Sequence, residues 1–204
     1  MKLGIVNYGL GNIRSIMNAV QFADPNVAVV LSSHPEDLAR FDKIILPGVG
    51  AFGDASNILF ADQWDQAIQE EKEKGKYILG ICLGMQLLGT KSFEFGENKG
   101  LNLIGGEVVK FPAQPDLRIP HMGWNSVYWE NNSPLFDDIT SGADFYFVHS
   151  YHFKCDEIDH SLGKTNYGLE FSSIIQNDNV IGTQFHPEKS QKNGIQLLSN
   201  FIRL

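Results

Sequence analysis

The chain has 204 residues, 43% of them apolar and 20% charged, enough to bury a core without metals or disulfides and to make one globular domain over residues 1–204 the expectation. Sixteen Lys and Arg against twenty-four Asp and Glu leave a net charge of −8, which repels a phosphate backbone and argues against nucleic acid as a partner. No run approaches the roughly 18 to 20 apolar residues of a membrane span, and the first residues lack the pattern of a signal peptide, so a cytoplasmic protein without membrane association is expected.

Lys2 to Asn7 reads as a strand closed by Tyr8-Gly9-Leu10-Gly11, after which Ile13, Ile16, Met17 and Val20 recur at helical spacing. Val27 to Leu31 and Lys43 to Leu46 are two further apolar runs, separated by a polar stretch containing Pro35. Trp64, Ala67 and Ile68 share a helical face, with Gly75 placed where a helix end takes a residue tolerant of positive φ. Tyr77 to Ile81 is a fourth run, leading through Cys82 into an apolar helix from Leu83 to Leu88. Beyond Gly89, glycines punctuate shorter strands: Glu107 to Phe111, Ser126 to Trp129 and Asp144 to Ser150. Val180 to Phe185 is the last apolar run, and Ile195, Leu198 and Ile202 mark a C-terminal helix. Apolar strands alternating with helices predict an α/β fold: a mostly parallel central sheet, helices on both faces, and an antiparallel section in the second half.

Three clusters invite a chemical reading. Gly48-Val49-Gly50-Ala51-Phe52-Gly53 matches G-x-G-x-x-G literally, but Pro47 intervenes and the glycines follow the third strand rather than the first, which disfavours a dinucleotide site. A tight turn whose backbone N–H groups could hold an oxyanion is the better account. His149, His152, Cys155, Asp156 and His160 offer zinc-type ligands, yet the spacing matches no metal motif. Strand alternation also sends His149 and His152 to opposite faces, so no metal is expected there and Cys155 reads as a passive thiol.

The third cluster is Gly80-Ile81-Cys82-Leu83-Gly84, between an apolar strand and a helix. A nucleophile on such a turn is lifted clear of the sheet, and the turn needs residues without side chains on either side. With only two cysteines in the chain, a disulfide framework is excluded and a reactive thiol is open. Phe185-His186-Pro187-Glu188 supplies what the thiol needs: His186 at a strand end as base, and Glu188, fixed through proline, to orient the ring. Cys82, His186 and Glu188 together read as nucleophile, base and orienter.

These residues resemble the class I, triad-type glutamine amidotransferases, in which the elbow G-x-C-x-G-x-Q and the sequence H-P-E both occur. Within that family the pattern is similar to the glutaminase subunits of imidazole glycerol phosphate synthases. Asn7 to Asn12, Pro47 to Gly50, Gly80 to Leu88, His121 to Asn125, Tyr146 to Tyr151 and Gln184 to Ser190 all match, in order along the whole chain. The resemblance implies that Cys82 attacks the side-chain amide of glutamine and that His186 and Glu188 complete the triad. It implies an oxyanion hole from the N–H of Leu83 and one from the Val49-Gly50 strand. It places Gly48, Gln86, Glu94, Ser150 and Tyr151 around the glutamine, with no cofactor. It implies a (β/α)8-barrel synthase subunit as partner, facing Asn12, Trp124, Tyr146 and Lys189 and receiving the ammonia. Phe93 and Asn102 depart from the family, Asn102 standing where glycine is usual. Related glutaminases that feed a barrel partner amidating a surface-polysaccharide sugar are the alternative pathway. A stand-alone cysteine hydrolase or an inactive interaction module are alternatives of another class.

Overall fold

The computed structural model describes residues 1–115 and 117–204. In chain order it contains β1 (Lys2–Val6), α1 (Ile13–Ala23), β2 (Ala28–Ser32), β3 (Lys43–Leu46), α2 (Phe52–Ala61), α3 (Trp64–Glu73), β4 (Tyr77–Ile81) and α4 (Leu83–Leu87). There follow β5 (Lys91–Ser92), β6 (Asn98–Lys99), β7 (Gly106–Lys110), β8 (His121–Val127), β9 (Ala143–His149) and β10 (Tyr151–Cys155). The chain closes with β11 (Ser161–Asn166), β12 (Glu170–Asn177), β13 (Val180–Thr183) and α5 (Gln191–Arg203).

The main sheet runs β2-β1-β3-β4-β13-β12-β10-β7-β5-β6, with β11 paired to β12. From β2 to β13 neighbouring strands are parallel; β13, β12, β10 and β7 then pair antiparallel. This is the α/β architecture expected, and its parallel part explains the sequence pattern: β3 and β13 are buried at every residue because helices cover both faces. One core lies on each side. Leu3, Ile5, Ile45, Leu79 and Ile181 pack against α1 and α5 on one face, and Val6, Ile44, Leu46, Ile78 and Val180 against α2 and α3 on the other. β8 and β9 form a separate two-stranded ribbon, in which Phe145, Phe147 and His149 alternate inward.

Several expectations shift. Helix α2 has no counterpart in the sequence reading, although Phe52, Ala55, Ser56 and Leu59 are buried at i, i+3, i+4 and i+7. Gly53 therefore lies in a helix rather than in the glycine turn, which ends at Ala51. Strand β8 starts at His121 and ends at Val127, earlier than Ser126 to Trp129. His149 and His152 do not point apart: β9 ends at His149, the chain turns at Ser150 into the main sheet, and both rings reach Phe111 and Phe171. Alternation fails there because it holds only within one continuous strand.

Candidate active site

The expected catalytic residues meet because β4 and β13 are adjacent. They run parallel in register, Gly80 beside Gly182 and Ile81 beside Thr183, so the residues that follow each strand emerge at the same edge. Cys82 sits at φ 54° and ψ −109°, between β4 and α4. The turn is closed from below: a Cβ at Gly84 would lie 1.9 Å from the Leu46 carbonyl oxygen, and one at Gly80 2.6 Å from the Gly84 carbonyl. Only glycine fits at either position.

His186 and Glu188 are held by a 3-10 turn at Pro187–Lys189. The backbone N–H of His186 donates to the Tyr146 carbonyl at 2.9 Å, and Ser190 Oγ donates back to the His186 carbonyl at 2.6 Å. His186 Nδ1 lies 2.8 Å from Glu188 Oε1, and the Glu188 side chain is wholly buried. Its other oxygen, Oε2, is buried without a hydrogen-bond partner, so compensation of the carboxylate charge falls on the ring. Burial lowers the pKa of His186, but hydrogen bonding and charge from Cys82 and Glu188 outweigh it and raise the ring from 6.5 to about 9.

Cys82 and His186 open into one cavity of about 360 Å³, a size suited to a small metabolite. Val49, Gly50, Leu83, Gln86, Glu94, Ser150, Tyr151 and Lys189 share its wall, joined by three residues the sequence reading did not name for it: Pro120, Val148 and His149. Gly48 lies just behind, where a Cβ would come within 2.8 Å of the Gly84 N and 2.9 Å of the Tyr8 hydroxyl. Leu83 begins α4, so its N–H has no acceptor within the helix. Gln86 Nε2 donates to the Tyr151 carbonyl and to Gln184 Oε1, both at 3.0 Å. Glu94 accepts from the Phe52 N–H at 2.6 Å while lining the same cavity.

Two further residues emerge from the structure. Gln184 is fully buried and places its Nε2 3.9 Å from the Cys82 sulfur. It follows β13 directly, in the stretch that leads to His186. Tyr8 donates its hydroxyl to the Pro47 carbonyl at 2.9 Å, anchoring the strand before Gly48. Burial, with the Cys82 charge adding to it, pushes the Tyr8 phenol up, so it remains a donor.

Of the residues expected to face a partner, Trp124, Tyr146 and Lys189 form one surface group. The Trp124 and Tyr146 rings are 6.0 Å apart, Lys189 Nζ stands 5.9 Å over Tyr146, and Trp124 is 47% exposed. Asn12 starts α1, which packs against the His186 turn, and makes no capping hydrogen bond through its side chain. Among the described residues no cluster of His, Cys, Asp and Glu is arranged to hold a metal, and no helix is long and apolar enough to cross a membrane.

Comparison with known proteins finds relatives along nearly the whole chain. The chain is 47% identical over 204 residues to imidazole glycerol phosphate synthase subunit HisH of Sulfurimonas denitrificans, covering 98% of this chain and 97% of that protein. It is 48% identical over 202 residues to the protein of the same name from Methanocaldococcus jannaschii, covering 99% of each. In fold it superimposes on a chain of the PurLQS structure from Thermotoga maritima with a TM-score of 0.78 at 19% identity, covering 99% of this chain and 97% of that one. The model of the class-I glutamine amidotransferase family matches residues 4–204, and the chain belongs to that family.

Proposed function

We propose that the chain is the glutaminase subunit of an imidazole glycerol phosphate synthase, one domain acting in the cytoplasm as half of a heterodimer. The observation that carries the chemistry is the opening of Cys82 and His186 into one cavity, with the buried Glu188 carboxylate 2.8 Å behind the His186 ring. The shared name of relatives at 42% to 48% identity supports the pathway, and nothing favours the sugar-amidating partner, the stand-alone hydrolase or the inactive module. Two free thiols accord with a reducing compartment.

In this reading the Cys82 sulfur attacks the δ-carbon of glutamine. The negative oxygen of the tetrahedral intermediate takes hydrogen bonds from Leu83 N–H and from an N–H of Val49 or Gly50, each donor worth about 3 kcal/mol. His186, holding its proton up to about pH 9, passes it to the departing nitrogen, so ammonia leaves and a thioester remains on Cys82. Water then attacks the thioester, His186 takes its proton, glutamate is released and the Cys82 thiolate is regenerated. Glu188 stabilises the imidazolium throughout. Gly48, Gln86, Glu94, Ser150 and Tyr151 surround the glutamine. Asn12, Trp124, Tyr146 and Lys189 face a (β/α)8-barrel subunit that receives the ammonia through its interior.

Glutamate release by the full chain, alone and with a barrel synthase subunit and its acceptor nucleotide, tests the proposal. Stimulation by the pair and formation of imidazole glycerol phosphate support it. Hydrolysis by the isolated chain as fast as by the complex overturns the dependence on a partner. Failure to supply the synthase with ammonia overturns the pathway.

A further inference from the structure

Asn125, His121 and His149 form a continuous hydrogen-bonded line across the seam between the two sheets. His121 and His149 lie opposite each other in the register of β8 and β9. Asn125 Nδ2 is 3.2 Å from His121 Nε2, His121 Nδ1 is 2.9 Å from His149 Nε2, and His149 Nδ1 is 2.8 Å from the Tyr151 carbonyl oxygen.

The last contact gives the line its direction. A carbonyl oxygen only accepts, so His149 carries its proton on Nδ1, and in a neutral ring Nε2 is then an acceptor. His121 must donate to it, which puts the His121 proton on Nδ1 as well. The bare Nε2 of His121 accepts in turn from the Asn125 amide. That amide donates its other hydrogen to the Asn166 carbonyl at 3.0 Å, and its oxygen accepts from the Ser126 N–H at 2.9 Å, which settles the orientation of the amide. Burial keeps both rings neutral, lowering His121 to about 4 and His149 to about 3. Phe147 and Tyr167 stack on His121, with centroids at 4.8 and 3.9 Å.

Each end of the line has a different role. The Tyr151 carbonyl accepts from His149 and from Gln86 together, and Gln86, His149 and Tyr151 all line the cavity. At the other end, β8 exposes Met122 and Trp124 beside His121. We propose that His121 and His149 are positioning residues: two neutral rings, each protonated on Nδ1, that hold the Tyr151 carbonyl and hence Gln86 in place, so that the β8-β9 ribbon sets the glutamine-binding wall. The inference rests on the reading of Gln86 and Tyr151 as glutamine contacts given above.

The test uses the full chain assembled with its synthase subunit. His121→Leu removes both ring nitrogens, whereas His121→Asn puts an amide nitrogen close to the place of Nδ1 and keeps the donation to His149. His121→Leu should raise the glutamine KM about tenfold with kcat within about threefold, and His121→Asn should bring KM back to within about threefold of the unchanged chain. Nitrogen-15 spectra of the unchanged chain near neutral pH should show both rings protonated on Nδ1, the minor tautomer of a free histidine. An unmoved KM in His121→Leu, or no recovery in His121→Asn, overturns the positioning role. A proton on Nε2 of His149 overturns the relay, and it decides the matter even if His121→Leu does not fold. Glutaminase activity surviving in Cys82→Ala refutes the site reading instead, leaving the nitrogen-15 spectra to judge the relay.

Discussion

The carboxylate of Glu94 accepts the backbone N–H of Phe52 at 2.6 Å, tying the loop between β5 and β6 to the first turn of α2. Because α2 starts directly after the Gly48 to Ala51 segment, this bond anchors the downstream end of the segment assigned to the oxyanion hole, as Tyr8 anchors its upstream end at Pro47. A negative group at a helix N-terminus also meets the favourable end of the helix dipole.

Glu94→Ala should therefore cost about 1 kcal/mol of stability, the usual worth of a helix cap, and lower kcat/KM for glutamine by roughly tenfold or more. Glu94→Gln, which retains an acceptor, should lie between. Denaturant unfolding and steady-state kinetics on the same preparations check both, and an Ala variant with unaltered kinetics removes the anchoring role.

His186 gives a pH prediction. Its folded pKa of about 9 stands above the ordinary 6.5, so the stability contributed by its partners is complete below about pH 6.5 and is lost as pH rises through about 9. Glutamine hydrolysis should lose its acid over the same alkaline range. Glu188→Gln removes one of the groups that raise the ring, so the alkaline limb of kcat should move to lower pH, with kcat near neutrality reduced roughly 100-fold. An alkaline limb that stays in place in this variant would falsify the assignment.

Cys82 occupies a backbone region that costs a side-chain-bearing residue about 1 to 3 kcal/mol. Cys82→Gly and Cys82→Ala should both be inert toward glutamine while ammonium salts still drive the synthase subunit. The glycine variant should be the more stable of the two by about 1 kcal/mol in denaturant unfolding, since only it escapes the strain. Equal stabilities would show that the turn is relaxed.

Cys155 should be dispensable. Its sulfur lies 3.7 Å from Ser172 Oγ, away from the Cys82 cavity, and burial pushes its thiol up. Cys155→Ala should leave glutaminase activity within about twofold, and thiol reagents should label Cys155 slowly at neutral pH. Rapid labelling, or a large loss of activity, would require a second functional thiol.

What the sequence discloses follows from how local each feature is. The elbow at Cys82 and the His186-Pro187-Glu188 turn are short stretches whose residue types have few other uses, and the strand ends that carry them are legible from apolar runs. Asn102 is legible in the same way: at φ 54° it holds the left-handed conformation for which the family's glycine is suited, and asparagine tolerates it. The insertion of β13 between β4 and β12 is a long-range pairing that no short window encodes. The histidine line is hidden for a related reason. His121 finds His149 only through the β8-β9 register, and His149 and His152 converge only because the chain changes sheets at Ser150. Helix α2 is encoded locally, since its apolar spacing is regular apart from Ser56, whose hydroxyl donates to the Lys99 carbonyl.

The place of β13 also matters during synthesis. Until the ribosome has released that strand, β4 is left with one open edge, and the nascent polypeptide has the Cys82 thiol without His186 to serve it. An interrupted translation product thus generates no stray ammonia, and its unpaired β4 edge is available for chaperones to recognise.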